Sequence, residues 1–288
     1  MEINMKRKKF FSRHNLISLI AYIPVGFWVV FTFILVGWVF LASLSTTSEI
    51  FSDHMFEFRS GFHFDNYVRA WNAQRVSVFF MNSLLYTVVS CTAIILIASP
   101  AAYVLSRYRF PGNTLIQNMF AAALGIPAIM IVLPLFGIAT SFRLTNNRWV
   151  LMFLYTAMYV PFAVFFLLAF FKNLSFTYEE AASIDGCPPI KTFWKIIFPL
   201  AQPGLVILTV FNFITIWNEF FMSLIFANRP NVRPVAVGLF NLIQSMRYTG
   251  DWAGLFASVV IVFLPTFFLY LFLSDKIIKG VTAGAIKG

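Results

Sequence analysis

Two groups of acidic residues stand out because the chain carries so few: only 11 of its 288 residues are Asp or Glu. The first group is a lone acid, Glu219, in the apolar run Asn212-Phe-Ile-Thr215-Ile-Trp217-Asn218-Glu219. A carboxylate at depth in a bilayer costs about 2.5–3.5 kcal/mol on insertion scales, so it should face a protein interior or a water-filled path. Asn212, Thr215, Asn218 and Glu219 recur at i, i+3, i+6 and i+7, which is one face of a helix. Such a face can line a translocation pathway and offer hydrogen bonds to a polar solute. The same groups can equally join helices to one another. Trp217 lies off this face and is expected to pack.

The second group is Glu179, Glu180 and Asp185, in the stretch Thr177-Tyr-Glu-Glu-Ala181-Ala182-Ser-Ile-Asp-Gly186-Cys-Pro188-Pro189. Thr177 and Glu180 have the spacing of a capping box, which starts a helix. Gly186 can close it in a left-handed cap, and the two prolines forbid continuation. A second helix is expected from about Pro189 to Phe198, stopping before Pro199. Ala181 and Ala182 are small enough to let another protein approach closely, and the three acids could pair with its surface. An ordinary capped helix lying on the membrane would have much the same sequence.

The chemistry that is missing narrows the function. No G-x-x-x-x-G-K-[ST] is present to cradle nucleotide phosphates. There is no H-E-x-x-H and no G-x-S-x-G, and only three histidines occur, all outside the apolar runs. Cys91 and Cys187 fall in a span and in a loop, where they should not meet in a disulfide, and no metal-ligand spacing surrounds either. The chain is therefore expected to have no catalytic residues, no metal site and no cofactor of its own.

The elements that position these residues are dictated by composition. The chain is 60% apolar and 11% charged, with mean hydropathy +0.81. A soluble domain carries about 25% charged residues, so most of this chain is solvated by lipid. The apolar residues come in blocks of bilayer-spanning length, without the alternation of a membrane β-barrel. Six spans are expected: Ile17–Leu44, Phe79–Tyr103, Leu115–Thr140, Trp149–Phe171, Gln202–Ala227 and Gly254–Ser274. The first is too long for a cleaved signal sequence. The fold class expected is all-α and polytopic, with a basic tail over 1–16, a transmembrane domain over 17–274 and a tail over 275–288.

The net charge of +10 sits mostly in short segments flanking the spans, so no nucleic-acid partner is expected. Of the 21 Lys and Arg, 13 fall in the two tails and the 105–114 and 172–201 loops, and 8 on the opposite side. The positive-inside rule then puts both termini in the cytoplasm. Phe51, Met55, Phe56, Phe58, Phe62 and Phe64, set among charges in the first outer loop, suit a short interfacial amphipathic segment. A helical run is expected near Val235–Ile243 in the last outer loop. Pro127, Pro134, Pro161 and Pro265 lie within spans as static kinks or as bends for rocking helices.

The 172–201 loop carries a resemblance. Glu180-Ala181-Ala182, three residues, Gly186, nine residues, Ile196, one residue and Phe198-Pro199 is similar to the EAA loop of the permease subunits of binding-protein-dependent ATP-binding-cassette importers. The one departure is Phe198, where the motif has Leu. The terminal Gly280-Val-Thr-Ala-Gly284-Ala-Ile-Lys287-Gly288 resembles the end of the maltose-type carbohydrate permeases, specifically the shorter partner of their permease pair. Asn66-Tyr67 and Phe80-Met81-Asn82-Ser83-Leu84 resemble that family as well.

The resemblance implies a type I importer permease fold in a prokaryotic cell membrane. It makes Glu179, Glu180, Ala181, Ala182, Asp185, Gly186, Ile196 and Pro199 the coupling segment that docks on a cytoplasmic ATPase. It places Gly284, Lys287 and Gly288 in a tail reaching between two ATPase subunits, which would hold ATP and magnesium. It also implies a homologous second permease, an extracytoplasmic binding protein and a sugar as solute, in the first instance an oligosaccharide, with polyols or glycerol phosphodiesters open. A membrane enzyme would need constellations that are absent. An ion-coupled carrier would be expected to show internal repeats and several buried ionisable groups.

Overall fold

The computed structural model describes residues 13–52 and 57–285, with side chains at 22–52, 57–246 and 248–274. Every regular element among them is helical. In chain order these are α1 (Arg13–Ser43), α2 (Thr47–Ile50), α3 (Asp65–Asn72), α4 (Val76–Arg107), α5 (Asn113–Ala123), α6 (Ala128–Ser141), α7 (Arg148–Lys172) and α8 (Thr177–Ile184). Then follow α9 (Pro189–Thr192), a π-helical turn (Phe193–Ile197), α10 (Phe198–Leu200), α11 (Gln202–Trp217), α12 (Phe221–Phe226), α13 (Val235–Thr249) and α14 (Trp252–Ala285).

Four unbroken helices are long and apolar enough to cross a membrane: Tyr22–Ser43, Val76–Arg107, Arg148–Lys172 and Trp252–Ser274. Two bent pairs complete the six spans expected, if each pair counts as one. α5 and α6 meet at 94°, and the Pro189–Leu200 segment meets α11 at 73°. The third span, expected over Leu115–Thr140 with a kink or bend at Pro127, is the first of these pairs. Pro127 takes extended backbone, ψ 129°, and has no N–H to continue the α5 ladder. Pro134, Pro161 and Pro265 do lie inside helices.

The centre of the bundle is the packing of α4 on α7. Ile94, Ala98 and Ala102 of the first are fully buried, as are Ala163, Leu167 and Phe171 of the second. Three alanines at such a contact let the backbones approach, which is how helices associate where lipid supplies no hydrophobic drive. α11 closes on the same core through Gly204. A Cβ there would stand 2.7 Å from the Phe170 ring, so only glycine admits this crossing.

The end of the bundle that holds the 45–78 and 228–253 loops is tied by polar side chains. Asn66 is buried and donates through Nδ2 to the carbonyls of Ser43 and Ser45, closing the end of α1. Asn82 donates to the carbonyls of Asn231 and Arg233, and Ser83 Oγ accepts from Val235 N–H. Both residues of the Asn82-Ser83 pair thus fasten the 228–253 loop and the start of α13, which forms where a helical run was expected. Asp251 accepts from Arg69, from Gln74 and from Gly254 N–H, the last in the manner of a helix N-cap. Phe51, Phe62 and Phe64 are exposed, while Met55 and Phe56 lie outside the described residues.

Candidate functional site

The loop between α7 and α10 folds as two short helices around a glycine turn. Gly186 sits at φ +69°, a left-handed conformation that costs other residues about 1–2 kcal/mol. The turn is closed by Gly186 N–H to Ser183 O and Cys187 N–H to Ala182 O, at 3.0 and 2.8 Å. The expected stop at Gly186 and restart at Pro189 are both present. The capping box is not. Thr177 is already the first helical residue, Phe176 occupies the cap position without a side-chain bond, and Ser175 Oγ accepts from Thr177 N–H instead.

The stop before Pro199 is also corrected. Proline lacks the N–H for a bond to residue 195, and its ring would crowd that carbonyl in an α-helix. The π turn answers this by widening one turn, with Phe198 N–H bonding Phe193 O, and the chain stays helical to Leu200. Insertion of a π turn is a recurrent device at functional sites. Ile196 is half-buried in this turn and Pro199 is exposed.

Around the turn, Glu180, Ala181, Asp185 and Gly186 are exposed. Ile184 and Ile190 flank them at 87% and 77% exposure, an apolar pair on a polar loop that marks an interaction surface. Two residues depart from the expected roles. Ala182 is buried against its own chain and offers no surface to another. Glu179 points inward and accepts from Arg107 Nε at 2.7 Å, with the Arg107 side chain only 3% exposed. In sequence Arg107 is legible only as one of the charges beside a span, because its partner lies 72 residues away. Beside this pair is a cleft of about 290 Å³ lined by Tyr103, Phe176, Ser183 and Cys187, among others.

The intramembrane polar group is not one face of one helix. α11 ends at Trp217, and Asn218–Phe220 break the expected Gln202–Ala227 span before α12. Glu219 lies in the break and accepts from Met222 N–H at 2.6 Å, Ser223 N–H at 2.9 Å and the Tyr155 hydroxyl at 2.8 Å. It is in effect the cap of α12, since the first N–H groups of a helix need an acceptor from outside it. Asn212 is buried, whereas Thr215 and Asn218 are exposed and donate to Phe211 O and Ile214 O. Trp217 packs as expected, stacked on Phe213 and edge-on to Phe80.

Gly284 falls in the last turn of α14, which continues helical past Ser274 to Ala285. Lys287 and Gly288 lie outside the described residues, as does most of the 1–16 tail. Among the described residues no group of His, Cys, Asp or Glu is arranged to hold a metal ion.

A polytopic helical bundle with a two-helix, glycine-hinged loop before its fifth crossing defines a membrane-spanning transport subunit. Residues 94–282 match the family described as "Binding-protein-dependent transport system inner membrane component", and the chain belongs to it: it is an ATP-binding-cassette importer permease. It is 31% identical to the diacetylchitobiose uptake system permease protein NgcG of Streptomyces coelicolor, over 90% of this chain and 86% of that one. It is also 31% identical to the trehalose/maltose transport system permease protein MalG of Thermococcus litoralis, over 87% and 90%. The sulfoquinovosyl glycerol transport system permease protein SmoH of Agrobacterium fabrum is 30% identical, over 87% of each. The fold matches that in the crystal structure of a bacterial ABC transporter involved in the import of the acidic polysaccharide alginate, with TM-score 0.79 and 21% identity over 92% of this chain and 98% of that one.

Proposed function

We propose that the chain forms half of the pathway through which a sugar, in the first instance an oligosaccharide, enters the cell at the expense of ATP. The observation that carries the reading is the exposed tip of the α8–α9 loop, with Glu180 and Asp185 between Ile184 and Ile190. This tip docks on a cytoplasmic ATPase, and the loop couples ATP-driven closure to a change of access. Two ATPase subunits hold the nucleotide and magnesium, a homologous permease supplies the other half, and an extracytoplasmic binding protein delivers the solute to the 228–253 loop. Both termini then face the cytoplasm of a prokaryotic cell membrane. The relatives named for diacetylchitobiose and for trehalose/maltose support a glycoside, and the one named for sulfoquinovosyl glycerol keeps a glycerol-linked solute in view.

Glu219 is in this reading a group that holds the break together, because both its oxygens accept from α12 and Tyr155. Thr215 places its one donor, and Asn218 one of its two, on their own helix, which leaves an oxygen each for solute hydroxyls. The test is co-purification of the tagged chain from its native membrane, wild type against Gly186→Arg. Wild type should bring down an ATPase and a second permease, and the variant should lose the ATPase while keeping the permease. A folded wild type that brings no ATPase overturns the coupling reading. Uptake of labelled oligosaccharide, polyol and glycerol phosphodiester, with and without the chain, then settles the solute class.

A further inference from the structure

We propose that Arg107 is the positioning residue of the docking loop, the joint that delivers a displacement of α8 to α4 and so to the bundle. The inference rests on the coupling reading above and adds the path by which movement leaves the loop. Arg107 is the last residue of α4, and its guanidinium engages three features between the end of α7 and the first turn of α8. Nε donates to Glu179 Oε1 in the first turn of α8 at 2.7 Å. Nη2 donates to the carbonyl of Leu174, just past the end of α7, at 2.8 Å. The Phe176 ring lies 4.1 Å from the guanidinium carbon, a cation–π contact.

One side chain therefore holds the end of α7, the start of α8 and the end of α4 together. A topology-setting arginine would extend to the headgroups, yet this one is 3% exposed. Lysine could not replace it, because two nitrogens and a planar face are used at once. The contact to Glu179 is single-pronged. Arg107 Nη1 and Glu179 Oε2 have no hydrogen-bond partner among the described residues, so the pair can pivot without parting. α4 in turn packs on α7 through the alanine-rich core, which has no slack to absorb a shift of its end.

The chain carries its own reporters. Cys187 lines the cleft beside Arg107, and Cys91 is buried in the middle of α4. The experiment follows N-ethylmaleimide labelling of both cysteines in the intact complex, in native membranes, without nucleotide and after trapping with ATP and vanadate. In wild type both labelling rates should change on trapping. In Arg107→Gln the ATPase should still co-purify and Cys187 should still respond, while the Cys91 response is lost. Arg107→Lys should restore it only in part, and the exchange Arg107→Glu with Glu179→Arg should restore more than either single change allows.

Should Arg107→Gln fail to accumulate, Glu179→Gln carries the test, since it keeps the side-chain shape. A Cys91 response that persists in both variants overturns the proposal, as does a wild type in which Cys91 never responds. Failure of the coupling reading itself looks different: Gly186→Arg would then retain the ATPase.

Discussion

At the scale of single residues, Glu219 shows how an expensive group is made affordable. Its carboxylate is placed where two backbone N–H groups and a tyrosine hydroxyl would otherwise lack acceptors. Removing it strands buried donors, and each unmet donor costs about 1–3 kcal/mol. We predict that Glu219→Ala lowers the melting temperature of the purified complex much more than Tyr155→Phe, which should cost about 1 kcal/mol. The double variant should resemble Glu219→Ala alone, because the two groups share one bond. Additive losses would show that they act separately. Gly204 makes the opposite point, a site where nothing may be added. Gly204→Ala should destabilise by about 1–3 kcal/mol through overpacking, and Phe170→Leu in the same chain should recover part of that, read by the same thermal assay.

At the scale of elements, the α8–α9 loop depends on one backbone conformation. Gly186 at φ +69° can be replaced by Asn, which tolerates the left-handed region, but not by Val. ATPase co-purification should survive Gly186→Asn and fall sharply in Gly186→Val; equal retention would mean that the turn's shape is not what docks. This loop was legible in the sequence because its signals are local: a glycine, two prolines and a spacing. Its start was misread because Ser175 Oγ takes the Thr177 N–H that the Glu180 carboxylate would accept in a capping box, and Pro199 was misread as a stop because a π turn has no signature in residue type. Pro127 was legible as a kink or bend but not as a 94° corner, and the break at Asn218–Phe220 stayed hidden inside a continuous apolar run, where hydropathy is blind to direction. Arg107–Glu179 and Asp251–Arg69 stayed hidden for another reason: pairing across 72 and 182 residues is set by tertiary packing.

At the scale of the molecule, the two ends of the bundle are held differently. The end that holds the 45–78 and 228–253 loops is a hydrogen-bonded knot that includes Glu49, which accepts from the backbone and side chains of Thr46 and Ser60. These bonds, the Thr46 backbone N–H foremost, lower its carboxyl from 4.5 to about 2. A carboxylate depressed in the folded state stabilises fully above its ordinary value and loses that contribution as pH falls towards the folded one. Protection of residues 46–50 and 60 against hydrogen exchange, taken relative to the intrinsic rate at each pH, should therefore fall between about pH 4.5 and 2, and Glu49→Gln should remove the pH dependence. A variant that keeps the same profile would assign the effect to another group. Asp251→Ala should loosen the same end by about 1–2 kcal/mol through loss of the α14 cap, visible as faster exchange at the start of α14.

The 73° bend between the Pro189–Leu200 segment and α11 has a mechanical meaning. Hydrogen bonds run through the corner, from Ala201 N–H to Ile197 O and from Leu205 N–H to Ala201 O, so the two arms turn as one bell-crank about Ala201. At 1.5 Å per residue the arms are roughly 18 and 24 Å long. A sideways push of a few ångströms on the Pro189 end would emerge at Trp217 turned through the corner and about a third larger. The lone acid of the bundle sits two residues beyond that tip.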